Sequence, residues 1–167
     1  TTGLRFFTVY GPWGRPDMAP IIFAKAILKN QKIDVFNGGK MSRDFTYIDD
    51  IVDGVVGVLD KPATPSCEFD PLIPDPAISN APFRVFNIGN GNPTQLMSFI
   101  AALEDAFGKK AQMNILPMQP GDVTATAADV SAIQQWTGFK PKTKIQEGVA
   151  KFAAWYLDYK GIECGHP

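Results

Sequence analysis

Two arginines mark the segments of this 167-residue chain best suited to do chemistry. Arg43 opens Arg43-Asp44-Phe45-Thr46-Tyr47-Ile48-Asp49-Asp50, and Arg15 sits in Phe6-Phe7-Thr8-Val9-Tyr10-Gly11-Pro12-Trp13-Gly14-Arg15-Pro16-Asp17. Each stands beside a turn or a strand, where a planar guanidinium can meet a phosphate or a carboxylate through two parallel hydrogen bonds. Asp44, the neighbour of Arg43, falls on the other side of a strand by alternation. An anionic ligand is therefore the expectation for Arg43, against a surface ion pair with Asp49 or Asp50 of small energetic value. Thr8 and Arg15 bracket the turn after the first strand. A hydroxyl plus a guanidinium suits a carboxylate-bearing ligand, but Thr8 as a plain strand residue with Arg15 in solvent is an equally open reading.

The elements that must position these groups follow from periodicity. Leu4–Val9 is β-branched and aromatic and is stopped by Gly11, Pro12, Gly14 and Pro16, as a buried strand would be. The 18–31 segment spaces Ile21, Ile22, Ala26 and Leu28 at helical intervals. Ile33–Phe36 predicts a strand closed by Asn37-Gly38-Gly39, and Phe45–Ile48 a short extended piece. Asp49-Asp50 should cap the helix carrying Ile51, Val52, Val55, Val56 and Leu59. Six prolines between Lys61 and Pro82 predict an exposed loop. Phe83–Ile88 reads as a strand, Thr94 as the cap of a helix to Phe107, and Ala111–Leu116 as another strand. Helices are predicted over 129–136 and 145–159. Strands alternating with helices imply an α/β domain.

Composition narrows the function. With 16 basic and 17 acidic residues, no broad positive field exists to attract nucleic acid or a membrane surface. At this length and 45% hydrophobic content, one core is expected. Cys67 and Cys164 lack both a disulfide framework and zinc-site spacing, so they read as free thiols in a reducing cytoplasm. No apolar run approaches a bilayer span. His166, the lone histidine, is the next-to-last residue and is excluded as a metal ligand or triad member.

Tyr10-Gly11-Pro12, Arg43-Asp44-Phe45, Asn87-Ile88-Gly89 and Gln119-Pro120-Gly121-Asp122, in that order between Leu4 and about Tyr159, resemble the carboxyl-terminal half of the extended short-chain dehydrogenase/reductase family. These are the NAD-dependent nucleotide-sugar epimerases and dehydratases, with UDP-glucuronate 4-epimerases the most similar. The resemblance implies the substrate-binding part of a Rossmann-type epimerase: a single fragment domain over 1–167 with the loop at 61–82, the NAD-binding half absent and no activity alone. It implies that Arg43 contacts the UDP pyrophosphate, that Thr8 and Arg15 face the sugar, and that Gln119 stands where many relatives carry a second phosphate-binding arginine. Arg84 is a candidate substitute for that arginine, and Asp122 is expected to stabilise its turn as part of the substrate side.

The resemblance also implies NAD held mainly by the absent half, a UDP-sugar partner and a homodimeric parent. Strand edges opened by the missing half should make the fragment self-associate. A UDP-hexose 4-epimerase, a 4,6-dehydratase and a stand-alone nucleotide-sugar or protein-binding module remain open. Gly89-Asn90-Gly91-Asn92-Pro93-Thr94 has the setting of a dinucleotide turn, but Thr94 replaces its third glycine and no acidic residue follows near Leu116, so a structural glycine turn is favoured. Tyr156 and Lys160 have the spacing of the family's catalytic pair but lie near the end of the chain, with Tyr156 on an apolar stripe, and are assigned to packing. No catalytic residue is expected in these 167 residues.

Overall fold

A computed structural model describes residues 1–162; Cys164 and His166 lie outside the described residues. The first strand splits into β1 (Thr2–Phe6) and β2 (Thr8–Tyr10), separated at Phe7. The break has a physical cause, because the two halves serve different neighbours. β1 pairs in parallel with β6 (Arg84–Ile88), whereas β2 pairs in parallel with β5 (Phe45–Tyr47). At the switch the Phe7 N–H donates to the Ile88 carbonyl and the Thr8 N–H to the Asp44 carbonyl.

Helix α1 (Ala19–Leu28) begins with Pro20, whose missing N–H would be unpaired there anyway. It leads into β3 (Lys32–Phe36), which pairs in parallel with β8 (Gln112–Leu116). In β3 the alternation is strict: Ile33 and Val35 are buried while Lys32 and Asp34 face out. A single 3-10 turn over Asn37–Gly39 follows. The short strand β4 (Ser42–Arg43) then pairs antiparallel with β7 (Thr94–Gln95). This pairing corrects the expected role of Thr94, which sits opposite Arg43 in a ladder. Helix α3 (Leu96–Phe107) starts from Gln95 with no side-chain cap.

Helix α2 (Ile48–Asp60) likewise starts from Tyr47 without a side-chain cap, and Asp49 and Asp50 lie in its first turn. There they meet the positive end of the helix dipole. The buried Asp50 carboxylate instead accepts from the Lys142 and Thr143 N–H groups at 3.3 and 3.0 Å, pinning the segment before α5 (Ile145–Tyr159). Short α4 (Ser131–Thr137) follows Asp129, which accepts from the Ser131 N–H. Residues 61–82 contain no strand or helix and are mostly exposed.

Buried apolar residues form two clusters where the composition pointed to one. Phe23, Ile27, Ile33, Phe99, Leu103 and Phe152 belong to the first, between α1, α3, α5 and β3. Ile51, Phe86, Ile88 and Ile133 belong to the second, under α2 and α4. The two-residue period of β5 sends Phe45 and Tyr47 into the first cluster and leaves Thr46 on the opposite face. Among the described residues no helix is long and apolar enough to cross a membrane.

Candidate functional site: a cleft in front of helix α1

The start of β2, the junction of β4 and β5, the first turn of α1 and the Gln119–Asp122 turn meet around a cleft of about 540 Å³. Thr8, Arg43, Gln119 and Asp122 all line it. Asp17, Met18, Pro20, Phe23, Lys32 and Asp34 complete much of its wall. Those residues were not singled out from the sequence, although the outward alternation of Lys32 and Asp34 on β3 was a usable signal.

Arg43 reaches the cleft because Asp44 takes the other direction. The Asp44 carboxylate is fully buried and accepts from the N–H groups of Asn90, Gly91 and Ala128 at 2.7, 2.9 and 2.8 Å, and from the Thr46 hydroxyl at 3.1 Å. A buried carboxylate needs such partners to offset the loss of water. This lock ties the strand bearing Arg43 to the turn after β6 and to the segment before α4.

The Arg43 guanidinium donates to the Asp122 carboxylate at 2.8 Å and to the Ser42 carbonyl at 3.0 Å, with the Arg43 side chain 19% exposed. The same Asp122 oxygen accepts from the Val123 N–H, so Asp122 closes its own turn and holds Arg43 together. Arg15 stands at the rim: its guanidinium grips Asp17, a lining residue, with the Nε bond at 3.1 Å. That hydrogen bond holds the Asp17 carboxyl below the usual aspartate range. Arg15 itself does not line the cleft, so one guanidinium–carboxylate pair, Arg43–Asp122, lies within it and the second reaches it only through Asp17.

Arg84 lies elsewhere. It is in β6, its guanidinium 4.9 Å from the centre of the Trp136 ring, and its buried Nε has no hydrogen-bond partner among the described residues. Tyr156 is buried against Phe107, Phe152 and Trp155. Burial pushes its phenol upward, and does the same to Tyr10 and Tyr47. All three phenols therefore hold their protons at neutral pH.

The residues do not fit a dinucleotide pyrophosphate at the Gly89–Gly91 turn. A pyrophosphate would use the backbone N–H groups that such a turn presents, and those of Asn90 and Gly91 are taken by Asp44. A side chain at Gly89 would meet Ala128 at 2.6 Å, so glycine is required there for close packing under the turn.

Residues 1–73 match the model of the NAD dependent epimerase/dehydratase family. The chain is 55% identical to protein CapI of Staphylococcus aureus, over 95% of this chain and 48% of CapI. It is 48% identical to a probable UDP-glucuronate 4-epimerase of Rhizobium meliloti, over 93% of this chain and 46% of that protein. In structure it is similar to the UDP-glucuronic acid 4-epimerase of Bacillus cereus crystallised with UDP-glucuronic acid and NAD, with a TM-score of 0.77 and 31% identity over 93% of this chain and 45% of that one. The chain spans about half the length of the curated relatives it matches. In sequence over residues 1–73 the chain thus matches the NAD dependent epimerase/dehydratase family, and over nearly all its length its fold is similar to that of a UDP-glucuronic acid 4-epimerase.

Proposed function

We propose that this chain is the nucleotide-sugar side of the cleft of a cytoplasmic, NAD-dependent UDP-glucuronate 4-epimerase. Arg43 grips the diphosphate, Gln119 donates an uncharged hydrogen bond beside it, and Thr8 with Arg15 meets the hexuronate carboxylate. NAD, which supplies hydride transfer at the sugar, is held by polypeptide other than these residues, so the chain alone binds without turning over. The 1–167 segment acts as one binding unit, and its parent works as a dimer. The observation that carries this reading is the meeting of Thr8, Arg43, Gln119 and Asp122 on one cleft. The sequence similarity to UDP-glucuronate 4-epimerases supports it.

Titration calorimetry with UDP and UDP-glucuronate tests it. Arg43→Ala should weaken both by at least about tenfold, the scale of a charge-assisted contact. Arg15→Ala should weaken UDP-glucuronate and leave UDP unchanged. Binding indifferent to Arg43→Ala, or epimerisation by the isolated chain with added NAD, would overturn the proposal.

A further inference from the structure

Behind α1, on the face opposite the cleft, lies a second cavity of about 580 Å³. The face of α1 carrying Ile21, Lys25 and Leu28 forms one wall, with Lys29 just beyond its end. Trp155, Tyr159 and Lys160, near the end of α5, form the other, and the Trp13–Pro16 turn forms the rim. None of the cleft's lining residues is shared with it.

Its aromatic side chains are arranged rather than scattered. Trp155 and Tyr159 are stacked, with ring centres 5.3 Å apart and 11° between planes. Trp13 stands against both at 5.5 and 5.4 Å, tilted by 60° and 70°. Trp13 is nevertheless 76% exposed, so most of its indole surface is available. Its backbone has φ 60, in the left-handed region that is unfavourable for any residue with a Cβ. The chain thus holds a strained turn that presents a tryptophan to solvent at the mouth of a cavity.

The charges point the same way. Among the described residues Lys25, Lys29 and Lys160 line the cavity, no aspartate or glutamate does, and none of the three lysines forms an ion pair. Lys160 lies over the Tyr159 ring at 4.7 Å. In a chain whose acidic residues outnumber its basic ones, three ammonium groups around one cavity without a carboxylate select for an anion. Lysines on a solvated helix face would account for Lys25 and Lys29, but not for Lys160 converging from another helix onto an aromatic wall.

We infer that this cavity is a second ligand site, for a nucleoside monophosphate whose base stacks on Trp13 and whose phosphate meets Lys25, Lys29 and Lys160. Stacking on an indole is the sequence-tolerant way proteins hold a base, and lysine serves as a point charge for phosphate. The volume suits a ligand of that size. Because Pro16 of this rim directly precedes Asp17 of the cleft, an occupant here touches the turn that sets the cleft's edge.

Adenosine monophosphate titrated into the chain tests this, followed by calorimetry and by tryptophan fluorescence. Two of the three tryptophans line the cavity. Saturable binding below about 1 mM is expected, unchanged by Arg43→Ala, which separates it from the cleft. Trp13→Ala should weaken it at least about fivefold through lost stacking. The pair Lys25→Ala and Lys29→Ala, both on exposed positions, should do the same with an unaltered circular dichroism spectrum. Adenosine and inorganic phosphate should each bind much more weakly than the nucleotide. No saturable signal, equal binding by inorganic phosphate, or affinity unmoved by both the tryptophan and the lysine variants would overturn the inference.

Discussion

On the front of α1 both guanidinium groups are already paired, Arg43 with Asp122 and Arg15 with Asp17, and only Lys32 on the cleft wall forms no ion pair among the described residues. On the back, Lys25, Lys29 and Lys160 border aromatic rings with no acidic residue among the lining. An anion that takes a guanidinium at the front must replace a carboxylate, so its gain there is the difference between two ion pairs. A bidentate phosphate or carboxylate competes best there. An anion entering the back replaces only water, and ring stacking must supply the discrimination. The same helix therefore separates a selective, self-neutralised site from an open, ring-dependent one.

The strongest way to break that comparison is to remove what supports the front alone. Asp44→Ala strips the shared acceptor from three N–H groups, one of them wholly enclosed at Ala128. A loss of about 3–5 kcal/mol in urea unfolding is expected, as for a buried hydrogen-bond network that leaves several donors unsatisfied. Hydrogen exchange should rise at Asn90, Gly91 and Ala128 before it rises in α5. A loss under about 1 kcal/mol would place Asp44 among ordinary residues. Gly148→Ala attacks the back instead, because an added Cβ would lie 2.1 Å from the buried Tyr10 hydroxyl. Overpacking of this kind costs about 1–3 kcal/mol. The displaced α5 carries Trp155 and Tyr159, so nucleotide monophosphate binding should fall further than UDP binding. Equal losses at both sites would mean that α1 does not separate them.

How much of this was legible in the sequence depends on the reach of the contact. The outward alternation of Lys32 and Asp34 around buried Ile33 and Val35 is local and could be read directly. The opposed directions of Arg43 and Asp44 also follow from strand period alone. What Asp44 meets beyond nearby Thr46 could not be read, since its three N–H donors lie more than forty residues away. Thr94 looked like a cap because threonine before an apolar run usually is one. Pairing with β4 captured it for a strand instead, a tertiary contact overriding a local preference. The back cavity was hidden for the same reason: Trp13 sits in a turn and Trp155 on a helical stripe, and neither signals the other.

A pair built like those of the cleft but placed away from both cavities serves as a control. Burial raises the Glu104 carboxyl, but the Lys110 ammonium and the Ala111 N–H outweigh it and hold the group below its ordinary 4.5. A depressed folded value means that its stabilisation is complete above the unfolded value and is lost as pH falls through the folded one. Urea midpoints should therefore decline on the acid side of 4.5, and Glu104→Gln should make that decline shallower while leaving both ligand affinities alone. An unchanged acid limb would show that the pair contributes nothing to folding.

The smallest effect is expected at Arg15 and Asp17, both largely in solvent, with side chains 75% and 60% exposed. Asp17→Asn should leave stability unchanged within error, because an exposed pair contributes little. It should raise affinity for UDP-glucuronate by less than about fivefold by relieving competition for the guanidinium, with UDP and UDP-glucose unaffected. The sign decides the matter. If the affinity for the sugar acid falls, Asp17 orients Arg15 toward the ligand rather than competing with it, and at the rim the front of α1 loses the self-neutralised character that distinguishes it from the back.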